Sequence, residues 1–432
     1  MAMDDWMAIL YLLQRPDVEV RAVTLAGTGE AHCDPGVRNA MNLLQLAGNP
    51  DVPVACGRET PLLGNKTFPQ GWRDAVDVML GLTLPENPNT PVAQTAVELL
   101  QQTINQSEGK TTLVVLGPLT NIAELLQADP AIADHITMIY VVGGAVNVPG
   151  NLQSGIGTTN TSAEWNIYID PLAAAQVIES GVPVTLVALD ATNHVPMTMA
   201  FVERLAADRI TPEADFVYQV LGPADPSAEV EGYYFWDPLA AAVATDEGVV
   251  TIEEQAIRVI TETGREYGRT APDEAGTLVR VAVDADADLF EQVFLNVLNG
   301  RDPSAPLPVV ATTQPEPAAA MTPVASADDI IGSWRWQTDT FHFQFRADGE
   351  FRADLSLEGL NSDSPEDLGT FQLEGGVITL TSGGTTQVCD PGDVGVYALF
   401  FTPENELVFV VQEDACYMRE APPAPQYFDR VE

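Results

Sequence analysis

Residues 112–126 read TLVVLGPLTNIAELL. The apolar and β-branched run Thr112–Leu116 leads into a Gly-Pro turn, and Asn121–Leu126 then takes up a helical pattern. A strand without polar alternation is buried on both faces, the condition of a strand inside a parallel sheet covered by helices. The same unit recurs on either side. Val18–Ala26, Val52–Cys56, Ile136–Val142 and Val182–Leu189 are further strand candidates, and Gly36–Leu46, Pro91–Thr103 and Pro171–Ser180 carry helical patterns between them. Val249–Ile260 and Leu278–Val283 are later β-rich runs before a final helix at Asp288–Leu298. The alternation predicts a wound α/β domain over residues 1–300, a mostly parallel sheet with helices on both faces.

Beyond it the pattern changes twice. Residues 301–328 are rich in Pro, Ala and Thr and have neither helical nor strand period, which predicts an extended linker. Residues 329–432 hold short runs such as WRW, FHFQF, GTFQLEGGVITLTS and ELVFVVQ, split by DG, GG and PEN turns. They predict a second domain, a small antiparallel β-barrel or sandwich. The alternating Trp334, Trp336, Phe341, Phe343 and Phe345 are expected to fill its core.

The chain has 432 residues, with 19 Lys and Arg against 62 Asp and Glu, a formal charge of −43. Such a balance excludes a nucleic-acid binder, which needs clustered cations for phosphates. No apolar run is long enough to span a membrane. The four cysteines, Cys33, Cys56, Cys389 and Cys416, form no CxxC pair, so zinc and thioredoxin-type chemistry has no support. Cys389 and Cys416 lie in one segment and are candidates for a disulfide. Met1 is followed by Ala2, Met3 and two aspartates without a basic or apolar leader, the pattern of a cytoplasmic chain. The linker, the cysteine pair and the acidity instead suggest an extracellular or cell-envelope setting.

Four segments carry polar groups suited to chemistry. Asp4 and Asp5 open the apolar helical run Trp6–Leu13, where they can cap the helix or form part of a hard-cation site. Leu116–Asn121 is a strand end running into a helix start, the place where open α/β sheets bind ligands. The run VGGAVNVPGN at 142–151 precedes AEWNIYIDP at 163–171; its glycines allow close backbone approach, and Glu164 and Asn166 suit sugar hydroxyls. In YYFWDPLAA at 233–241, Asp237 heads another helix beside aromatic residues.

Together these segments resemble the inosine-uridine type nucleoside hydrolases over about residues 1–300, with MDDWMAI, GPLTN, GG…PGN, AEWNIYIDP and WDPLA in family order. The resemblance implies a Ca²⁺-dependent N-ribosyl hydrolase serving purine or pyrimidine salvage, acting on a small nucleoside and often assembled as a homo-oligomer. It assigns Asp5 and Asp237 as Ca²⁺ ligands with the Thr120 carbonyl. Asp4 then contacts the ribose and is the catalytic carboxylate present, and Asn151, Glu164 and Asn166 hold the other hydroxyls. The family's opening aspartate, its general base, would fall immediately before Met1. The expectation is a start methionine placed inside that motif, with the sheet lacking a strand there. Two pocket positions depart from the family: Thr28 stands where many members have asparagine, and Trp236 where purine-cleaving members often have histidine. His32 is then a candidate to help the leaving base. The C-terminal domain weakly resembles lipocalin-like barrels, through GSWRWQ and the hairpin after it. The rival reading from another class is a non-catalytic riboside-binding protein. A phosphohydrolase fits poorly, because no Lys-rich cradle accompanies the aspartates.

Overall fold

The computed structural model describes all residues except 153–157, 222–232, 309–320, 337–341, 355, 363–364, 366, 384–391, 404, 415–425 and 432. The Cys389–Cys416 pairing and Phe341 lie outside the described residues. The chain divides into two compact units, one comprising Met1–Gly222 and Val230–Pro308, the other lying within Val309–Glu432.

The first unit is built on a sheet of six strands: β3 (Thr111–Val115), β4 (Ile136–Val142), β5 (Val184–Val187), β6 (Val250–Val259), β7 (Thr270–Pro272) and β8 (Thr277–Ala285), in the order β3-β4-β5-β8-β6-β7. The first four in that order are parallel, and β6 and β7 add antiparallel edges. β4 shows why its sequence has no polar alternation. Tyr140 and Val142 pack into one core and Ile139 and Val141 into another, because successive side chains leave opposite faces and both faces are covered. Over Tyr140 and Val142 lie α1 (Met3–Gln14) and the helices Trp236–Thr245 and Ala287–Leu298. Over Ile139 and Val141 lie α4 (Ala96–Gln106), α5 (Thr120–Ala128) and the helix Pro171–Ile178.

The strand expected at Val18–Ala26 is shorter, only Val23–Leu25 (β1), and it pairs in parallel with Val54–Cys56 (β2) as a separate two-stranded sheet. Polar groups from elsewhere take up the Leu25 carbonyl: the Gly57 N–H and the Asn121 amide each donate to it at 2.9 Å. The apolar face of α1 is fully buried, with Trp6, Met7, Leu10 and Tyr11 all at 0% exposure. Tyr11 stacks on Phe294 and its hydroxyl meets that of Thr245 at 2.9 Å, so stacking and a hydrogen bond together seat α1 against its neighbours.

The second unit is a closed antiparallel barrel of eight strands, running from Gly332–Trp336 to Gln426–Val431. Each strand pairs with its sequence neighbour, and the first pairs with the last, which removes both open edges. Trp334, Phe343 and Phe345 lie in its core as expected, with Trp336 packed partly against it. Among the described residues no helix is long and apolar enough to cross a membrane.

Candidate active site

Two helix N-termini converge beside the C-terminal ends of the parallel strands. α1 carries Asp4 and Asp5 in its first turn, and the helix Trp236–Thr245 carries Asp237 in its own. The positive end of each helix dipole favours the negative charge placed there. Carboxylate oxygens of Asp4, Asp5 and Asp237 all lie within 4.8 Å of one another. Capping is present as well: Asp5 accepts the Ala2 N–H at 2.7 Å, and Asp4 accepts the Asp5 N–H at 3.2 Å.

The electrostatics are those of crowded, buried acids. Burial first, then the neighbouring charges of Asp5 and Glu30, push the Asp4 carboxyl up to about 7. Burial also raises Asp5, against the pull of the Met1 amino group. Asp237 is raised well above the usual carboxylate range by burial and by Asp4 and Asp5. Three such groups cannot all stay ionised in a desolvated site without a cation. Carboxylate oxygens on convergent helix starts are the hard donors that a divalent cation such as Ca²⁺ or Mg²⁺ takes, so these residues fit one.

The other expected site residues gather around the same strand ends, with much of their bonding capacity already in use. Glu164 caps the helix Trp165–Ile169, accepting the N–H groups of Asn166 (2.8 Å), Ile167 (3.1 Å) and Gly144 (3.2 Å). Burial outweighs those bonds and pushes its carboxyl up to about 7, and its charge reaches Asp237. The Asn166 amide donates to the Leu116 and Val142 carbonyls, both at 3.1 Å, tying the ends of β3 and β4 together. Asn151 accepts the Trp165 N–H at 3.2 Å. Thr120 is fully buried at the start of α5; its hydroxyl donates to Asp170 at 2.8 Å and meets that of Thr28 at 3.0 Å. Trp236 opens its helix against Tyr233 and Tyr234, and its indole N–H is buried without a hydrogen-bond partner among the described residues. Gly150 is required where it stands, since a Cβ there would lie 2.0 Å from the Ala163 carbonyl oxygen.

Sequence reasoning missed three features. Glu30 is a fourth acid at the cluster, pushed up to about 7 by burial and by Asp5. Arg73, in α3 (Gln70–Asp77), is only 7% exposed, and its Nε donates to the Glu30 carbonyl at 3.2 Å. The third is a disulfide, Cys33–Cys56, joining the start of α2 (Cys33–Leu46) to the end of β2. His32, just before α2, is held by Asp77, whose carboxylate meets Nδ1 at 2.6 Å and accepts the backbone N–H at 2.9 Å. One local signal was readable: Glu30 sits in the Gly27–Cys33 loop directly after an apolar strand. Opening the 23-residue span of the disulfide is expected to cost about 3 kcal/mol of stability. Denaturant unfolding of the oxidised and reduced chain checks this, and equal midpoints would sink it.

The fold is a wound α/β sheet with carboxylates and amides gathered at its strand ends. The chain belongs to the inosine-uridine preferring nucleoside hydrolase family, whose model matches residues 1–292. It is therefore an enzyme of the N-ribosyl hydrolase kind, cleaving the N-glycosidic bond of ribonucleosides. It is 33% identical over 306 residues to the pyrimidine-specific ribonucleoside hydrolase RihA of Klebsiella pneumoniae subsp. pneumoniae, an alignment covering 67% of this chain and 94% of that protein. The inosine-uridine preferring nucleoside hydrolase of Bacillus anthracis superposes with a TM-score of 0.60 at 27% identity, covering 69% of this chain and 96% of the other. The purine-preferring ribonucleoside hydrolase of Gardnerella vaginalis does so with a TM-score of 0.58 at 28% identity, covering 69% and 96%.

Proposed function

We propose that hydrolysis here is Ca²⁺-dependent, with Asp5 and Asp237 as carboxylate ligands and the Thr120 carbonyl beside them. The observation that carries the reading is the meeting of Asp4, Asp5 and Asp237 at two helix N-termini, within 4.8 Å of one another. When bound, the cation supplies a polarised, oriented water for attack at the anomeric carbon. Asp4 is placed to accept a hydrogen bond from a ribose hydroxyl. As the base departs, positive charge grows on the ribose, and the remaining carboxylates stabilise it without reorganising. Glu164, Asn166 and Asn151 are held by backbone contacts and so present a rigid rim to the remaining hydroxyls. Thr28 and Trp236 border the pocket. Family members bear names that divide between pyrimidine and purine preference, so the base is assigned by measurement.

The Cys33–Cys56 disulfide supports an oxidising, extracellular or cell-envelope location. The test of function is ribose release from uridine, cytidine and inosine, in Ca²⁺ and after chelation. Turnover that disappears with chelator and returns with Ca²⁺ is expected. Riboside binding without turnover at any Ca²⁺ concentration would favour the non-catalytic reading.

A further inference from the structure

Breaking an N-glycosidic bond sends the bonding electron pair into the departing base, so that base needs a positive or hydrogen-bond-donating partner. On the proposed reading the carboxylates of the site serve the cation, the sugar and the water. Trp236 carries no acid, and His32 has its Nδ1 engaged by Asp77.

Arg73 has the required character. Its Nε is engaged by the Glu30 carbonyl, but its Nη2 is buried with no hydrogen-bond partner among the described residues, in a side chain only 7% exposed. An unmet buried donor on a charged group is costly, and a site that keeps one has a use for an acceptor there. Its position relative to the site follows from two contacts. Its Nε holds the carbonyl of Glu30, in the Gly27–Cys33 loop that follows β1. Its chain neighbour Trp72 packs on Trp165 with ring centroids 5.3 Å apart, and Trp165 directly follows Glu164. The segment α3 therefore brings a cation and an aromatic ring to the rim that holds the sugar, and planar bases stack well on such rings.

We propose that Arg73 receives the leaving base, its Nη2 donating to a ring carbonyl oxygen of an oxo-base of the uracil or hypoxanthine class. This inference rests on the hydrolase reading above. As the bond from the anomeric carbon to the base nitrogen breaks, the electron pair goes to that nitrogen and is delocalised onto the carbonyl oxygen facing Arg73. The water oxygen bonds to the anomeric carbon, its proton passes to a site carboxylate, and the base anion then takes a proton from solvent. Arg73 keeps its own proton throughout.

The test measures kcat/KM of the full chain in Ca²⁺ for uridine, inosine and p-nitrophenyl β-D-ribofuranoside, whose phenolate leaves without help. Arg73→Gln is expected to lose about 100-fold on the two nucleosides and to stay within about 3-fold on the phenyl riboside. Arg73→Lys, which keeps the charge and guards against misfolding, should show the same selectivity with a smaller loss. Equal losses on all three substrates, or no loss on any, would overturn the assignment while leaving the hydrolase reading intact. A wild-type chain inert toward all three would overturn both.

Discussion

Replacing Asp237 by asparagine is expected to lower nucleoside turnover by about 1,000-fold while making the metal-free protein more stable. Asp237 is 2% exposed in the first turn of its helix, and asparagine matches its shape and still suits that position. What it removes is one of three buried charges that repel one another, since Asp4 and Asp5 both raise the Asp237 carboxyl. Without a cation that repulsion is a cost, and relieving it stabilises the fold. On the proposed reading the same charge is a ligand once a cation binds, and losing it would weaken both binding and the placement of the attacking water. Thermal melts in chelator and in Ca²⁺, read beside ribose release, separate the two effects. The expected pattern is a higher Tm in chelator, no rise on adding Ca²⁺, and almost no turnover. A variant that keeps its Ca²⁺ shift and its activity would remove Asp237 from the site.

Ca²⁺ is likewise expected to stabilise the chain strongly at pH 8 and little at pH 5. Asp4, Glu30 and Glu164 are each pushed up to about 7, whereas free carboxyls titrate near 4. Between about pH 4 and pH 7 the metal-free native state therefore holds protons that the unfolded chain has already released. The contribution of these groups to stability falls as pH rises through that window and levels off above it. A cation exchanges with the same protons, so its binding strengthens over the pH range in which the metal-free fold weakens. At a hundredfold excess over its dissociation constant it adds about 2.7 kcal/mol at pH 8. For a unit of this size that is a rise in Tm of roughly 4 °C. Melts at pH 5, 6.5 and 8, with chelator or Ca²⁺, read the increment directly. An increment that does not change with pH would contradict the placement of these carboxyls around one cation.

The parts of the fold legible in the chain were those that depend on local periodicity. Ile136–Val142 reads as a strand covered on both faces and has those bounds in the sheet, because its apolar run is continuous and the turn after it is glycine. Val18–Ala26 reads as equally strand-like, but only Val23–Leu25 pairs, since a run of residues becomes a strand only where a partner strand meets it. Asp4, Asp5 and Asp237 were found from the helix starts they occupy, a local pattern that the family motif makes specific.

Glu30 had only its place in the loop after an apolar strand, and Arg73 and the Cys33–Cys56 bond had no local signal. Each acts on a residue distant in sequence: Arg73 on the Glu30 carbonyl, and Cys33 across a separation of 23 residues. Sequence by itself determined the strand and helix periods, the α/β class, the all-β character of the second domain and the acids at the helix starts, because propensity and burial pattern act between near neighbours. The tertiary structure alone decided that three of those acids share one desolvated volume, that Glu30 joins them, and that Arg73 stands at their edge with a donor unmet. Charge and hydrogen bonding act through space over a few ångströms, and only the packed chain sets those distances.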